Sequence, residues 1–122
     1  MLLDSNIIIY STNPLYDSLQ IFIAQNDCCV SLISKLEVLG FQNLQEKDKK
    51  ILEAFFETAE TIVPISDEII ERAIQLRQQR KMSLGDAIIA ATALEYNLTL
   101  VTANTKDFNW ITSLNITNPL YH

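Results

Sequence analysis

Four acids, Asp4, Glu37, Asp86 and Asp107, are the residues of this chain best placed to do chemistry together. Asp4 follows the apolar Met1-Leu2-Leu3, and Glu37 lies shortly after Cys28-Cys29-Val30-Ser31. Asp86 opens the run Ala87-Ile88-Ile89-Ala90-Ala91, and Asp107 comes soon after Leu100-Val101-Thr102. Carboxylates gathered within a few ångströms repel one another, so such a group needs a cation. Oxygen-only donors select hard ions such as Mg²⁺ or Mn²⁺. Other mechanisms lack their parts. The single histidine is the terminal His122, where fraying is expected, and neither Cys28 nor Cys29 has a base nearby in sequence. That removes Ser-His-Asp and Cys-His catalysis and a histidine-rich zinc site. The chemistry left is metal-assisted hydrolysis of a phosphodiester, in which a divalent ion lowers the pKa of water and neutralises the leaving oxygen.

Two of the acids also have a plain structural reading. Ser83 and Asp86 have capping-box spacing, and Ser34 and Glu37 repeat it: a hydroxyl accepts an orphan N–H while the carboxylate reaches back. At a helix start, Asp86 would sit in the positive end of the macrodipole, which favours its ionised form. What favours chemistry over capping is where the elements put all four.

Short apolar runs alternate with amphipathic stretches, which predicts an α/β sandwich on a mainly parallel sheet of four or five strands flanked by helices. The strands are expected at Met1-Leu2-Leu3, 28–31, 61–65 and 98–102, with a weak last one at 114–117. Pro64 puts the third at an edge. Helices are expected over 16–24, from Leu32–Leu36 to about Leu44, around Ile51 to Phe56, after Ser66, and from Ser83 to Leu94. Asp4-Ser5-Asn6 reads as a turn or as a cap for a helix through Ile7-Ile8-Ile9. Residues 46–50 read as a solvated charge run, Tyr96-Asn97 as a turn, and 103–108 as a loop. In a parallel sheet the carboxyl ends of strands share an edge with helix N-termini, and ligands bind there. Asp4, Glu37, Asp86 and Asp107 then fall on one rim. Ser5, Asn6, Thr102 and Asn104 are polar neighbours suited to supporting the acids or touching a phosphate, although each alone is more often a turn or cap residue. Arg72, Arg77, Arg80 and Lys81 form one basic cluster just before the Asp86 helix, readable as an ordinary polar face or as a substrate contact.

Composition bounds the answer. A chain of 122 residues, 48% hydrophobic, fits one domain over 1–122 with a proper core. A net charge of −6 argues against a broad basic nucleic-acid surface, though less against a nuclease whose own site is acidic. Cys28 and Cys29 are neighbours in a strand and point to opposite faces, which leaves no internal disulfide and fits a reducing compartment. No basic segment precedes Leu2-Leu3-Asp4 and no apolar run is long enough to span a bilayer, so the expected location is cytoplasmic.

Four segments together resemble the PIN domain, in particular the VapC-type ribonuclease toxins of bacterial and archaeal toxin–antitoxin pairs. They are Leu3-Asp4-Ser5-Asn6-Ile7-Ile8-Ile9-Tyr10, Val30 to Gly40 with Glu37, Ser83 to Leu94 with Asp86, and Leu100 to Phe108 with Asp107. The resemblance implies a three-layer PIN sandwich and an acidic quartet, here Asp4, Glu37, Asp86 and Asp107, holding Mg²⁺ or Mn²⁺ for RNA cleavage. Asn104 could share the role of the fourth acid. It also implies a cognate antitoxin and a homodimer, for which the apolar stretches Ile51 to Phe56 and Tyr16 to Ile23 offer surface. Ala103 departs from the pattern, since many relatives carry a basic residue in this loop. A phosphate contact would then shift to Lys106 or to Arg80 and Lys81.

An inactive, purely binding PIN-like module is hard to square with a complete acidic set, which leaves two rivals at this level. One is a PIN nuclease that processes RNA without an antitoxin. The other is a Mg²⁺-dependent phosphoacceptor receiver domain, with Asp67 and Lys106 pressed into its roles. It lacks an acidic pair after the first strand and leaves Glu37 without a task.

Overall fold

The computed structural model describes residues 1–120; the terminal His122, expected to fray, lies outside them. The elements run β1 (Leu2–Leu3), α1 (Ser5–Tyr10), a 3-10 turn (Pro14–Tyr16), α2 (Asp17–Gln25), β2 (Cys29–Ser31), α3 (Leu32–Leu39) and α4 (Glu46–Thr58). They continue with β3 (Ile62–Val63), α5 (Asp67–Gln79), α6 (Leu84–Glu95), β4 (Leu100–Val101), α7 (Thr105–Phe108) and β5 (Ile116–Thr117). The five strands form one sheet in the order β3-β2-β1-β4-β5. Every pairing is parallel, so the sheet is wholly rather than mainly parallel. The strand containing Ile62 and Val63 is indeed at an edge, where the following Pro64 costs no ladder bond.

Strand side chains alternate between two cores, one on each face of the sheet. Leu2, Leu100 and Cys29 face a cluster with Ile69, Ala73, Ile89 and Ala90 from α5 and α6. Leu3, Val101, Val30 and Cys28 face the other, with Ile7, Ile8, Val38, Leu52 and Phe56 from α1, α3 and α4. Adjacent cysteines on opposite faces are therefore what the pleat imposes. The α6 helix is buried almost all round, and Ala87, Ala90, Ala91 and Ala93 let α5 and the sheet approach it closely. No helix among the described residues is long and apolar enough to cross a membrane.

Several boundaries differ from expectation for local reasons. The α3 helix stops at Leu39 instead of Leu44. Gly40 caps it, donating its N–H to Leu36 O, and a Cβ there would stand 2.4 Å from that same oxygen. The charge run at 46–50 is helical, forming the first turns of α4 with Glu46 and Asp48 at the favourable end of its dipole. The loop after β4 contains the short helix α7. Asn97 turns the chain between α6 and β4 at φ 53°, a left-handed conformation that Asn tolerates better than most residues.

Candidate active site

The chain leaves β1 toward β2 and β3 on one side and returns to β4 on the other, so the topological switch lies between β1 and β4. Asp4 ends β1 and caps α1, with its side chain only 5% exposed. One carboxylate oxygen accepts from Ser5 N at 2.8 Å, and the other accepts from the Thr102 hydroxyl at 2.7 Å. Thr102, buried just past β4, in turn accepts from Asn104 N at 3.0 Å. Asn6 Oδ1 accepts from Ala103 N at 3.4 Å, a second tie across the same switch. Burial raises the Asp4 carboxyl above its ordinary range, the bonds from Thr102 and Ser5 oppose that, and the charges of Glu37 and Asp107 add to it.

Glu37 is not a capping residue. The cap of α3 is Ser31, whose hydroxyl accepts from Ile33 N at 3.2 Å, and Ser34 is buried inside the helix. Glu37 sits a turn further on, on an exposed part of α3, and its carboxylate accepts from the Ser5 hydroxyl at 2.8 Å. Ser34 Oγ lies 3.0 Å from the same Ser5 oxygen. The other end of that carboxylate rests against the backbone of α6: a Cβ built on Gly85 would fall 2.3 Å from Glu37 Oε2. Only glycine leaves room for this approach, which brings Glu37 to the residue next to Asp86.

Ser83 caps α6 as its spacing predicts, accepting from Asp86 N at 3.1 Å. The expected effect of the helix dipole on Asp86 is overridden, however. Its carboxyl is raised to about 6, first by burial, then by the charges of Asp4 and Asp107; a bond from Ser83 opposes this, and Glu37 adds a smaller push. A dipole worth about 0.3–1 kcal/mol cannot offset desolvation next to three other acids. Asp107 stands exposed in α7, and Asn104, also exposed, precedes that helix.

The four acids thus share one rim and sense one another's charge. They do not form a closed cage: among the described residues no three Asp, Glu, His or Cys side chains converge tightly enough to be a preformed metal site. The donor set still fits a hard divalent ion. It is all oxygen, the neighbouring charges disfavour ionisation of Asp4 and Asp86, and Glu37 and Asp107 are exposed side chains that rotation can bring inward.

Beside Asp86 and Asp107 opens a cavity of about 570 Å³ lined by Arg77, Arg80, Lys81 and Lys106. Arg77 Nε donates to Met82 O at 3.2 Å and braces the connection into α6. Arg80 lies over the ring of Trp110, 5.7 Å from its centroid. Arg72, grouped with these cations in the sequence, is elsewhere and pairs with Glu95. Two residues escaped the sequence reading, Gly85 and Trp110, while Ser34, expected as a cap, is instead a buried neighbour of the Ser5 hydroxyl. A glycine one place before the acid was the available signal for Gly85; nothing local pointed to Trp110.

Fold and rim define an α/β protein with an acidic site at the switch point of a parallel sheet. The chain belongs to the PIN domain family, which it matches over residues 1–111. That family is one of nucleases. Among solved structures, the chain is 32% identical to a chain of a toxin–antitoxin complex from Klebsiella pneumoniae, with a TM-score of 0.80 and 97% and 96% of the two chains covered. It is 25% identical to a chain of VapBC2 from Rickettsia felis bound to a promoter DNA fragment, with a TM-score of 0.77 and 96% of each covered. DNA-bound VapBC from Salmonella typhimurium shares the fold at 21% identity, with a TM-score of 0.83 and 97% and 96% covered. No curated protein sequence matches. The receiver-domain reading falls with this assignment, and Asp67 is an exposed first-turn residue of α5.

Proposed function

We propose that this chain, a single domain over 1–122, is a cytoplasmic metal-dependent endoribonuclease and the toxin of a VapBC-type toxin–antitoxin pair. The observation that carries the reading is the meeting of Asp4, Glu37, Asp86 and Asp107 on one rim, with a cation-lined cavity against it. In this reading the four carboxylates hold Mg²⁺ or Mn²⁺. The bound ion supplies Lewis acidity toward the phosphodiester and toward water.

The chain's own groups do the positioning. Thr102 and the Ser5 backbone fix both oxygens of Asp4, and the Ser5 hydroxyl orients Glu37. Gly85 lets Glu37 lie close to Asp86. Lys81, Lys106 and Arg80 supply positive charge for the strand's phosphates, taking over from the basic residue that Ala103 replaces. Incubating the purified chain with single-stranded RNA tests this directly. Cleavage in Mg²⁺ or Mn²⁺ and none in EDTA is the expected result, and mapping the ends would give the site preference. A folded chain that leaves RNA intact in both ions would refute the nuclease reading.

The cognate partner and a homodimer belong to the same proposal. Similarity to a chain of a toxin–antitoxin complex supports the first. Exposed apolar side chains are available to both, Leu36 at 68%, Phe41 at 59% and Leu84 at 64% exposure. The stretches at 16–23 and 51–56 supply less than expected, because Leu19, Leu52 and Phe56 are core. Light scattering should give about twice 13.9 kDa for the chain alone. A strict monomer at micromolar concentration would remove the dimer.

A further inference from the structure

We infer that the cavity beside Asp86 and Asp107 is a nucleotide subsite, in which Trp110 stacks a base of the substrate strand while Arg80 turns to the adjoining phosphate. This rests on the nuclease reading and adds the residues that grip the strand. In a chain of net charge −6, four of its nine basic residues line this one cavity. None of the four has a carboxylate partner, since the ion pair among the described residues is Arg72 with Glu95. Cations gathered without a direct ion pair, in a cavity that Asp86 and Asp107 also line, suit a polyanion that must approach carboxylates.

Trp110 supplies what charge alone does not. Its indole Nε1 donates to Asp107 O at 3.1 Å, which ties the ring to the helix that carries the acid. The ring packs partly into the core on the α5–α6 side of the sheet, so its plane is fixed relative to the rim. Arg80, by contrast, is exposed and is the movable layer over that ring. The plain alternative is that this contact merely ties the end of α5 to the segment after α7. Relative strengths favour exchange. A solvent-exposed guanidinium over a half-buried ring is worth less than a base stacked on it, and a guanidinium released from the ring gains a charge-assisted fork to phosphate. Arg80 therefore covers the ring only until a strand arrives.

Trp110 is the chain's one tryptophan, so its emission reports on this site alone. A single-stranded RNA of about ten nucleotides, titrated into the full chain in EDTA, should quench that emission. A strand of equal charge without bases should bind and leave it bright. By anisotropy of a labelled strand, Trp110→Ala should weaken RNA binding about 5- to 100-fold, and Trp110→Phe, which keeps a stacking face and the packing, much less. Neither should alter affinity for the abasic strand. Equal quenching by both strands, or unchanged RNA affinity in Trp110→Ala, overturns the subsite. The nuclease reading fails separately, if the wild type cleaves no RNA in Mn²⁺. Cleavage by Trp110→Ala with unaltered KM and unaltered site preference removes the subsite and leaves the nuclease standing.

Discussion

Asp86→Asn should lower RNA cleavage by more than about a hundredfold, beyond the usual cost of losing a residue that merely orients a ligand, and should raise the melting temperature of the metal-free chain. The two effects have one origin. The Asp86 carboxyl is held at about 6 in the folded chain against an ordinary 3.8. The folded state thus binds this proton more tightly than the unfolded state does. Its contribution to stability is fully present below about pH 4 and is lost as pH rises through about 6. At neutral pH the wild type carries an ionised group that the fold disfavours. The shift corresponds to about 3 kcal/mol unscreened. Asp86 is partly exposed, so on the order of 1–2 kcal/mol is the realistic size, or roughly 3–8 °C in melting temperature. The amide removes that load. It also keeps the cap, because Ser83 accepts from the backbone N–H of residue 86, which the substitution leaves in place. Thermal melts of both chains in EDTA from pH 4 to 8 should show stability falling with pH in the wild type more than in the mutant. Undiminished cleavage by a folded Asp86→Asn would return Asp86 to the role of a cap.

Divalent ions should produce the second large effect. A ligand that binds only the folded chain stabilises it by RT ln(1 + [L]/Kd), about 2.7 kcal/mol at a hundredfold excess over Kd. For a domain of this size that is a rise of about 5–10 °C. Mn²⁺ should act at least as strongly as Mg²⁺, following the general order of divalent affinities. Asp4→Asn and Asp86→Asn should gain clearly less. Gly85→Ala makes a sharper control, since it removes no donor. Alanine is the better helix former by about 0.8–1.0 kcal/mol, yet its Cβ would need the space 2.3 Å from Glu37 Oε2. The flexible carboxylate can swing away, so the mutant should fold and melt near the wild type in EDTA while its metal-induced shift shrinks. Equal shifts in all four proteins would show that the ion is held somewhere else.

The sheet, its helices and much of the rim were legible because Asp4, Asp86 and Asp107 stand at junctions that the hydrophobic pattern marks. Leu2-Leu3 before Asp4 and Leu100-Val101 before Thr102 are short apolar strands, and in a parallel sheet their ends have one place to go. The Ser83 cap was equally plain, since N-cap chemistry is local. Glu37 was less so. Its spacing from Ser34 mimics a capping box, whereas the partner it bonds is Ser5, 32 positions away. The raised Asp86 carboxyl was hidden for a related reason: the dipole is local and visible, while burial and the charges of Asp4 and Asp107 arise only on folding. Trp110 is the extreme case. Its significance lies in Arg80 reaching it from the end of α5, a contact no periodicity announces.

The bond between Thr102 and Asp4 joins residues 98 positions apart. It closes over the central strand, which pairs with β2 early in the chain and must wait for β4 before its other edge is covered. During synthesis, therefore, an emerging chain carries Asp4 for most of its length without the hydroxyl that holds it, and without Asp86 or Asp107. Contacts of such long sequence separation form late and slowly, because their loop entropy must be met first. The acidic rim is accordingly absent from a growing polypeptide until Thr102 and Asp107 have left the ribosome, and no N-terminal fragment that stops short of them can assemble it.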